Sequence, residues 1–393
     1  MIINTPSGDK QIKSLVASPS VARYGTWSSE TWTGKNVTVA SAQAISTWYA
    51  GTNLIAKTGG TLPLVTYDRS SGVPKEVDAT KSQVALRLRY QPNPYMSANQ
   101  LFTTLLLHLL NQGNGYLAKV WERGDYAPSL YLIPPDNVLV SRGENGQKIF
   151  HVIDAESGRQ FTLTTQSVLH IPGLSLGDGL MGYSPIAIQR QRLGVSLASS
   201  EHQARFFAQG GSIKGVISVD GTLTTEAART IQDQWQATYG GVDNAWKTAV
   251  LDHGAKYSPI SMSHEDAQFI EMMKYSATEI AVMLNIPPAM LGAEGQSLTY
   301  ANAQQNDLHF LKFTLRPWLR YVEAAINNDP DIFGATSAWY PAFDVDDLVR
   351  PDITTRFAAW NTGIQSGFLT VNEVRDEENL PPVQVESGQN GSS

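Results

Sequence analysis

The sequence predicts an α+β fold, with helices and antiparallel strands mixed over about the first 180 residues. Three patterns indicate this class. Residues 97–112 carry leucine and phenylalanine at helical spacing. Residues 116–171 contain short runs rich in β-branched and aromatic residues, separated by turn-forming clusters. Beyond them, long helical patterns flank one small α/β module, so more than one structural unit is expected.

Composition points to an assembled, non-membrane protein. The 393 residues are enough for two or three structural units. Charged residues make up only 17% of the chain, as expected if neighbouring subunits cover much of its surface. The N-terminal stretch MIINTPSGDKQIK lacks the apolar region of a secretory signal, which predicts a cytoplasmic chain. The net charge of −7 opposes tight DNA binding, because that affinity requires Lys and Arg to neutralise phosphates.

The first helices and strands follow a short arm. Residues 1–37 are rich in Gly, Ser, Thr and Pro and read as an extended arm. Residues 38–57 have apolar positions at near-helical spacing, and Gly59-Gly60 is expected to end that helix before the strand LPLVTYD. A capping-box pair, Ser97 and Gln100, starts the next helix, which Gly113 stops. The strand runs that follow, predicted to form one antiparallel sheet, are YLAKVW, SLYLIP, NVLV, KIFHVI, FTLT and VLHI.

Two long helices enclose the second module. Ser184-Pro185 is an N-cap followed by proline, and the helix runs to Gly210-Gly211. A second long helix begins at Ser263 and ends at the Asn285-Ile286-Pro287-Pro288 segment. Residues 211–262 lie between them, with the β-type runs IKGVISV, TAVLD and YSPISM around a helix from Thr224 to Tyr239.

The remaining chain is predicted to be mostly helical. A Gly-containing polar loop leads into a third long helix that extends to Asn327 and is expected to bend at Pro317, which lacks an amide donor. Two further helical runs, 352–366 and 370–379, are joined at Gly367, and the tail after Val385 has a disordered composition.

No pattern of a catalytic, metal or cofactor site is present in the sequence. Cysteine is absent, which removes disulfides, thiolate zinc sites and cysteine nucleophiles. Asp344, Asp346 and Asp347 lack the Gly turn and terminal Glu of a calcium loop, so a solvated acidic turn is expected. The segment 177–182 lacks the Lys-Ser/Thr of a phosphate-binding loop. We therefore expect no metal, no cofactor and no enzymatic activity.

Several local strings, in this order, resemble the portal (head-tail connector) family of siphophages. They are QPNPYMSANQLFTTLLLHLLNQGNGYLAKV at 91–120, LHIPGLSLGDGLMGYSPI at 169–186, FFAQGGSIKGVIS at 206–218, EIAVMLNIPPAMLG at 279–292, SLTYANAQQ at 297–305 and GFLTVNEVRDEENLPPV at 367–383. The resemblance covers most of residues 38–385. This chain departs from the family pattern in its short crown and its sparse N-terminal arm.

This resemblance implies a portal fold and a division of the chain into named parts. They are an arm (1–37), a wing (38–184), a first stem helix (185–210), a clip (211–262), a second stem helix (263–288), a tunnel loop (289–299), a kinked helix that returns to the wing (300–349), a short crown (350–385) and a tail (386–393).

The resemblance also implies a function. The chain is expected to form a ring, of twelve subunits in the capsid, at one capsid vertex of a tailed double-stranded DNA phage. The ring would be assembled in the bacterial cytoplasm. DNA would pass through it with weak, non-specific contact. Further partners would be terminase, the major capsid protein and scaffold, and later a head-tail adaptor, with no membrane involved.

The resemblance also indicates candidate functional residues, by their positions in these parts of the chain. The tunnel loop comprises Gly292, Ala293, Glu294, Gly295, Gln296 and Ser297, and the clip docking face comprises Glu226, Arg229, Gln232, Asp233 and Gln236. The basic residues expected on the stem are Arg190, Arg192, Arg205 and Lys274. An ordinary helix connection and a solvated helix face are the alternative interpretations of the loop and the clip face.

Two other functions remain open on the sequence. One is a carboxylate-dependent phage hydrolase or nuclease that uses the aspartates near residue 344. The other is a structural capsid protein that forms shells or sheets instead of a closed ring.

Overall fold

The computed structural model describes most of the chain in two units. The described residues are 31–122, 124–154, 157–175, 179–208, 215–218, 224–239, 256–259, 276–292, 300–349, 353–378 and 380–383. The first unit extends to Phe343 and the second comprises residues 344–393.

A pair of packed helices forms the centre of the first unit. After the short α1 (Val39–Gln43), α2 (Ser46–Thr61) packs against α4 (Ala98–Gln112). The capping box predicted at Ser97 and Gln100 is confirmed, and Gly113 ends α4 in the left-handed conformation at φ 70°. Buried apolar residues of α4 include Leu101, Phe102, Leu105, Leu106, Leu109 and Leu110.

The prediction that Gly59-Gly60 ends the first helix is wrong, because α2 continues through both glycines to Thr61. A Cβ on Gly60 would lie 2.0 Å from Thr103 Oγ1 and 2.8 Å from the Thr103 backbone nitrogen. The glycines therefore allow α2 and α4 to approach closely, a requirement of tertiary packing that resembles a stop signal in the sequence.

The predicted strand runs are confirmed, but they form two antiparallel sheets instead of one. Strands β3 (Asn114–Val120), β4 (Ser129–Ile133) and β8 (Val168–Pro172) form a sheet in the order β4-β3-β8. Strands β5 (Val138–Arg142), β6 (Lys148–Ile153) and β7 (Gln160–Thr164) form the other. A 3-10 turn at Pro135–Asn137 separates β4 from β5. Proline cannot donate to a ladder, which explains the break at Pro134-Pro135.

A third sheet joins distant parts of the chain. Its centre is β1 (Leu64–Asp68), which pairs with the two-residue β2 (Lys75–Glu76) and with β11 (Trp339–Phe343). Leu64 stands opposite Phe343 in this antiparallel register. Neither β11 nor α3 (Gln83–Arg89), which packs near β1, was predicted from the sequence.

The first long helix is present as predicted. Helix α5 (Pro185–Ala208) starts after Ser184, whose Oγ accepts a 3.2 Å hydrogen bond from the Ala187 amide. At about 1.5 Å per residue it is roughly 36 Å long. The described part of the second long helix, α7, covers residues 276–283, and its predicted start at Ser263 lies outside the described residues.

Three described segments belong to the module between these helices. Strands β9 (Gly215–Ser218) and β10 (Lys256–Pro259) pair antiparallel, and α6 (Thr225–Tyr239) matches the predicted helix. The run TAVLD at 248–252 lies outside the described residues.

The third long helix has an irregular middle. It comprises α8 (Tyr300–His309), a π-helical segment (Phe310–Leu315) and α9 (Arg316–Asn328). The bend expected at Pro317 stays a prediction. The structure places Pro317 in the first turn of α9, directly after the π segment, where proline is tolerated.

The second unit contains α10 (Asp346–Val349), α11 (Ile353–Gln365) and α12 (Val371–Glu377). The junction predicted at Gly367 is confirmed, with φ 75°, and Thr370 and Glu373 form a capping box that starts α12. Arg356 donates two hydrogen bonds to the carboxylate of Glu378, at 2.5 and 3.0 Å, which ties α11 to the end of α12.

Candidate functional site

Helices α5 and α7, which were predicted to be the two stem helices, contact each other through polar side chains. Ser196 Oγ on α5 lies 2.6 Å from Ser276 Oγ on α7. Arg192 Nη1 lies 3.4 Å from Glu279 Oε1 across the same pair of helices. Residues 31–35 pack along α5, where a Cβ on Gly194 would lie 2.7 Å from Thr31 Oγ1. Part of the predicted arm therefore lies on the first stem helix of its own chain.

Asn285 connects the end of the second stem helix to the third long helix. Its φ of 54° is the only positive value among the described non-glycine residues. Its Nδ2 donates a 2.8 Å hydrogen bond to the Phe313 carbonyl, and Thr314 Oγ1 donates to the Asn285 carbonyl. Pro317 has no amide to donate to the Phe313 carbonyl, and the Asn285 side chain donates a hydrogen bond to it.

This connection fixes the chain on both sides of the predicted tunnel loop. Gly292 caps the 3-10 turn Pro288–Leu291 with φ 71°, and the chain resumes as a helix at Tyr300. The other predicted loop residues, Ala293, Glu294, Gly295, Gln296 and Ser297, lie outside the described residues.

The described basic residues of the stem contact groups of their own chain. Arg190 Nη1 donates to the Ala187 carbonyl at 3.1 Å, and Arg205 Nη2 donates to Glu201 Oε1 at 2.5 Å. Arg192 pairs with Glu279 across the two stem helices. The fourth predicted residue, Lys274, lies outside the described residues. Ion pairing of this kind reduces the positive potential that α5 presents.

The predicted clip face lies on α6. Glu226, Arg229, Gln232 and Asp233 are all exposed there, and Glu226, Arg229 and Asp233 follow one another at helical spacing on one side. Gln236 lies on the same helix, although its side chain is outside the described part of the structure.

A second charged helix face, which was not predicted from the sequence, lies on the third long helix. Lys312, Arg316 and Arg320 are exposed at intervals of four residues. Lys312 Nζ lies 5.2 Å from the centre of the Phe313 ring, and Arg320 Nη1 lies 2.8 Å from Glu323 Oε2. The interval was visible in the sequence, but only the structure shows that all three side chains face solvent.

A buried ion cluster holds the C-terminal end of this helix against the wing. Lys119 on β3 is fully buried, and its Nζ contacts Asp329 Oδ2 at 2.8 Å and Asp331 Oδ2 at 2.5 Å. Because both carboxylates share the single cation, removal of Lys119 would leave buried negative charge. The cluster is therefore a structural element.

His170 lies in the core between the two sheets that contain β3 and β6. His170 stacks on Tyr116 with ring centres 4.6 Å apart, and its Nε2 is 3.0 Å from Asn114 Oδ1. Burial, with a smaller contribution from Lys148, lowers the pKa of His170 to about 3. The ring is thus neutral near pH 7.

A serine–histidine pair in the same region lacks the partners of a catalytic triad. Ser141 Oγ lies 2.8 Å from His151 Nε2, but His151 Nδ1 is buried without a hydrogen-bond partner. A catalytic histidine requires an orienting acceptor at that nitrogen. Among the described residues no three His, Asp or Glu side chains converge as metal ligands would, and no helix is long and apolar enough to cross a membrane.

The class of this protein follows from a comparison with known protein families. The model of the phage portal protein family matches residues 46–379, most of the chain, and the protein belongs to that family. The family is one of structural, not catalytic, proteins. More particularly, this chain is a portal protein of a tailed phage or a phage-like particle.

Curated relatives span nearly the whole chain. The probable portal protein of Streptomyces phage phiC31 is 32% identical over 362 residues, which cover 89% of this chain and 78% of the relative. The portal protein of Enterobacteria phage HK97 is 26% identical over 343 residues, covering 86% of this chain and 79% of that protein.

Solved structures confirm the α+β portal fold. A chain in the neck of an empty gene transfer agent particle, computed with sixfold symmetry, matches with a TM-score of 0.63 and 24% identity, over 88% of this chain and 94% of that one. The crystal structure of an HK97 family phage portal protein from Corynebacterium diphtheriae matches with a TM-score of 0.54 and 16% identity, over 80% of this chain and 98% of that one.

Proposed function

We propose that this protein is the subunit of a closed ring at one capsid vertex of a tailed double-stranded DNA phage or phage-like particle. The ring forms the channel through which the genome enters and leaves. The observation that carries the proposal is the family match over residues 46–379, joined to a stem of two contacting helices followed by a loop and a third long helix. Assembly takes place in the host bacterial cytoplasm, and the ring then resides in the virion.

Apolar residues exposed on the stem support assembly. Ile188 on α5 is 43% exposed and Val282 on α7 is 68% exposed. Exposed apolar side chains on long helices are typical of surfaces that a neighbouring subunit covers. In a ring the interface is head-to-tail, so two different faces of each subunit meet.

Native mass spectrometry and electron microscopy of the purified protein test the ring. We expect a closed ring, with twelve subunits in the capsid. A relative from a gene transfer agent neck has been computed with twelvefold symmetry, which is compatible with this number. A stable monomer over a range of salt and protein concentrations would overturn the proposal, and sheets or shells would identify a different capsid protein.

The loop 289–299 is proposed to line the narrowest part of the channel. The support is its position between α7 and α8, in a part of the chain where Thr314 of the π-helical segment donates a hydrogen bond to Asn285, just after α7. Glu294→Lys should hinder packaging while rings still form, because it adds one positive charge per subunit beside the DNA. Gln296→Ala serves as the control, and normal packaging by Glu294→Lys contradicts the assignment.

The clip is proposed to dock the packaging motor and later the tail. The exposed face of α6 supports this proposal, since it carries both signs of charge on a module inserted between the stem helices. Terminase would bind there during packaging and a head-tail adaptor afterwards. The major capsid protein and scaffold would contact the ring elsewhere.

A further inference from the structure

The row Lys312, Arg316 and Arg320 is unusual for this chain. The protein carries a net charge of −7, yet three cations occur at four-residue intervals on one exposed side of the third long helix. Like charges one turn apart repel each other and destabilise a helix. A helix that keeps such a row without compensation is expected to gain something from it.

In the structure, carboxylates pair with only part of this row of positive charge. Arg320 pairs with Glu323, but Lys312 and Arg316 have no carboxylate partner among the described residues. The stem arginines differ in this respect, because Arg192 and Arg205 each contact a carboxylate of the same chain. Positive charge without a carboxylate partner among the described residues therefore lies on the third long helix, at Lys312 and Arg316.

Exposed aromatic residues lie next to two of the cations in the sequence. Phe313 is 51% exposed and Tyr321 is 38% exposed on the same helix. The buried residues Leu315, Leu319 and Val322 of the same helix pack in the core, which fixes the orientation of the helix and keeps the row exposed. The helix backbone is thus a rigid support for a line of cations.

We propose that the face formed by Lys312, Arg316 and Arg320 contacts the phosphate backbone of DNA inside the ring. This inference rests on the proposed channel function. It assigns phosphate contacts to the third long helix, in addition to the channel loop proposed above. Side chains at successive helical turns lie about 5–6 Å apart, a spacing at which several phosphates of one strand can be neutralised together. One such face per subunit, repeated around a ring, offers DNA equivalent and non-specific phosphate contacts between which it can slide.

Fluorescence anisotropy with a short linear duplex and purified rings tests the proposal. Lys312→Gln/Arg316→Gln should weaken binding at low salt by about tenfold. The slope of log affinity against log salt should fall by about 0.9 for each phosphate that the variant no longer neutralises. The matched control is Arg192→Gln/Arg205→Gln, which removes the same charge from α5 and should change affinity less than twofold.

A charge-preserving variant separates DNA contact from other roles. Lys312→Arg/Arg316→Lys keeps both charges and should bind the duplex as the wild type does. A larger loss of affinity in the α5 control than in the Lys312/Arg316 variant would overturn the proposal. So would failure of Lys312→Gln/Arg316→Gln to form rings, since the face would then be a contact between subunits.

The outcomes also distinguish this inference from the proposed function. Wild-type rings that bind no linear duplex at low salt would refute the DNA contact and leave the ring intact. Absence of rings in native mass spectra would refute the portal role itself. A nicked circular plasmid cannot thread a closed ring, so an equal reduction of its binding would place the cations on the outer surface and also refute the proposal.

Discussion

Asn285 Nδ2 donates a 2.8 Å hydrogen bond to the carbonyl oxygen of Phe313. Pro317, four residues later, has no amide hydrogen to donate to this carbonyl, which lies in the π-helical segment. Asn285 reaches it from a left-handed backbone conformation, in which asparagine is among the few residues tolerated. The end of α7 and the π segment are therefore held together on the two sides of the 293–299 segment.

Replacing Asn285 should separate two contributions to the stability of the protein, that of its side-chain hydrogen bond and that of its left-handed backbone conformation. Asn285→Ala removes the hydrogen bond and strains the left-handed backbone, so we expect a decrease of about 2–3 kcal/mol in the free energy of unfolding. Asn285→Gly removes only the hydrogen bond and should cost about 1 kcal/mol. Urea denaturation measures both, and equal decreases in the two variants would show that backbone conformation is unimportant here.

Gly60→Ala should destabilise the helix pair by about 1–3 kcal/mol through overpacking. The added Cβ would meet the backbone of Thr103 as well as its side chain, so Thr103→Ala should not restore stability. Gly59→Ala is the control, because the atoms nearest to its added Cβ are ends of side chains and not backbone, the first being Leu106 Cδ1 at 2.6 Å. Thermal unfolding compares the variants, and full rescue by Thr103→Ala would contradict the backbone contact.

Lys119→Met should cost about 3–5 kcal/mol, because it leaves the carboxylates of Asp329 and Asp331 without their buried cation. Adding Asp329→Asn and Asp331→Asn to Lys119→Met removes the stranded charge and should recover part of the stability. Urea denaturation of both proteins checks this, and no recovery in the triple variant would mean that packing of the lysine stem dominates.

Acid should destabilise the wing through His170. Burial lowers its folded pKa to about 3, whereas the unfolded pKa is about 6.5, so the unfolded chain binds the extra proton between these values. Stability is full above about pH 6.5 and falls by up to about 1.4 kcal/mol per unit as the pH drops towards 3. His170→Gln should flatten this dependence in denaturation experiments from pH 7.5 to 4.5. Some slope remains from His108 and His151, whose pKa values burial also lowers.

Changing the charged face of the clip should impair docking without affecting the ring. The variant Glu226→Gln/Arg229→Gln/Asp233→Asn is expected to bind terminase about tenfold more weakly, equivalent to about 1.4 kcal/mol. Gln234→Ala, at an exposed neutral position on α6, is the control. Pull-down and packaging assays measure the effect. Failure to form rings in native mass spectra would instead make these residues structural.

The starts of the helices were predictable from the sequence because their causes are local. Ser97, Ser184 and Thr370 each accept an amide hydrogen bond from a residue three positions later, so the whole interaction lies within one turn. The strand runs were equally predictable from the sequence, because the alternation of apolar and polar residues and the turn-forming residues are patterns of a few consecutive positions. Their division into two sheets was not visible, because pairing partners lie far apart along the chain.

The amino-acid sequence by itself determined the capped helices, the six strand runs of the wing and the family resemblance, all of which depend on neighbouring residues. Tertiary structure alone decided the pairing of Leu64 with Phe343, the close approach at Gly60 and the bond from Asn285 to Phe313. It also decided that Arg192 pairs with Glu279 while Arg316 faces solvent. Each of these depends on contacts between residues distant in the chain, whose energies exist only once the backbone has brought them together.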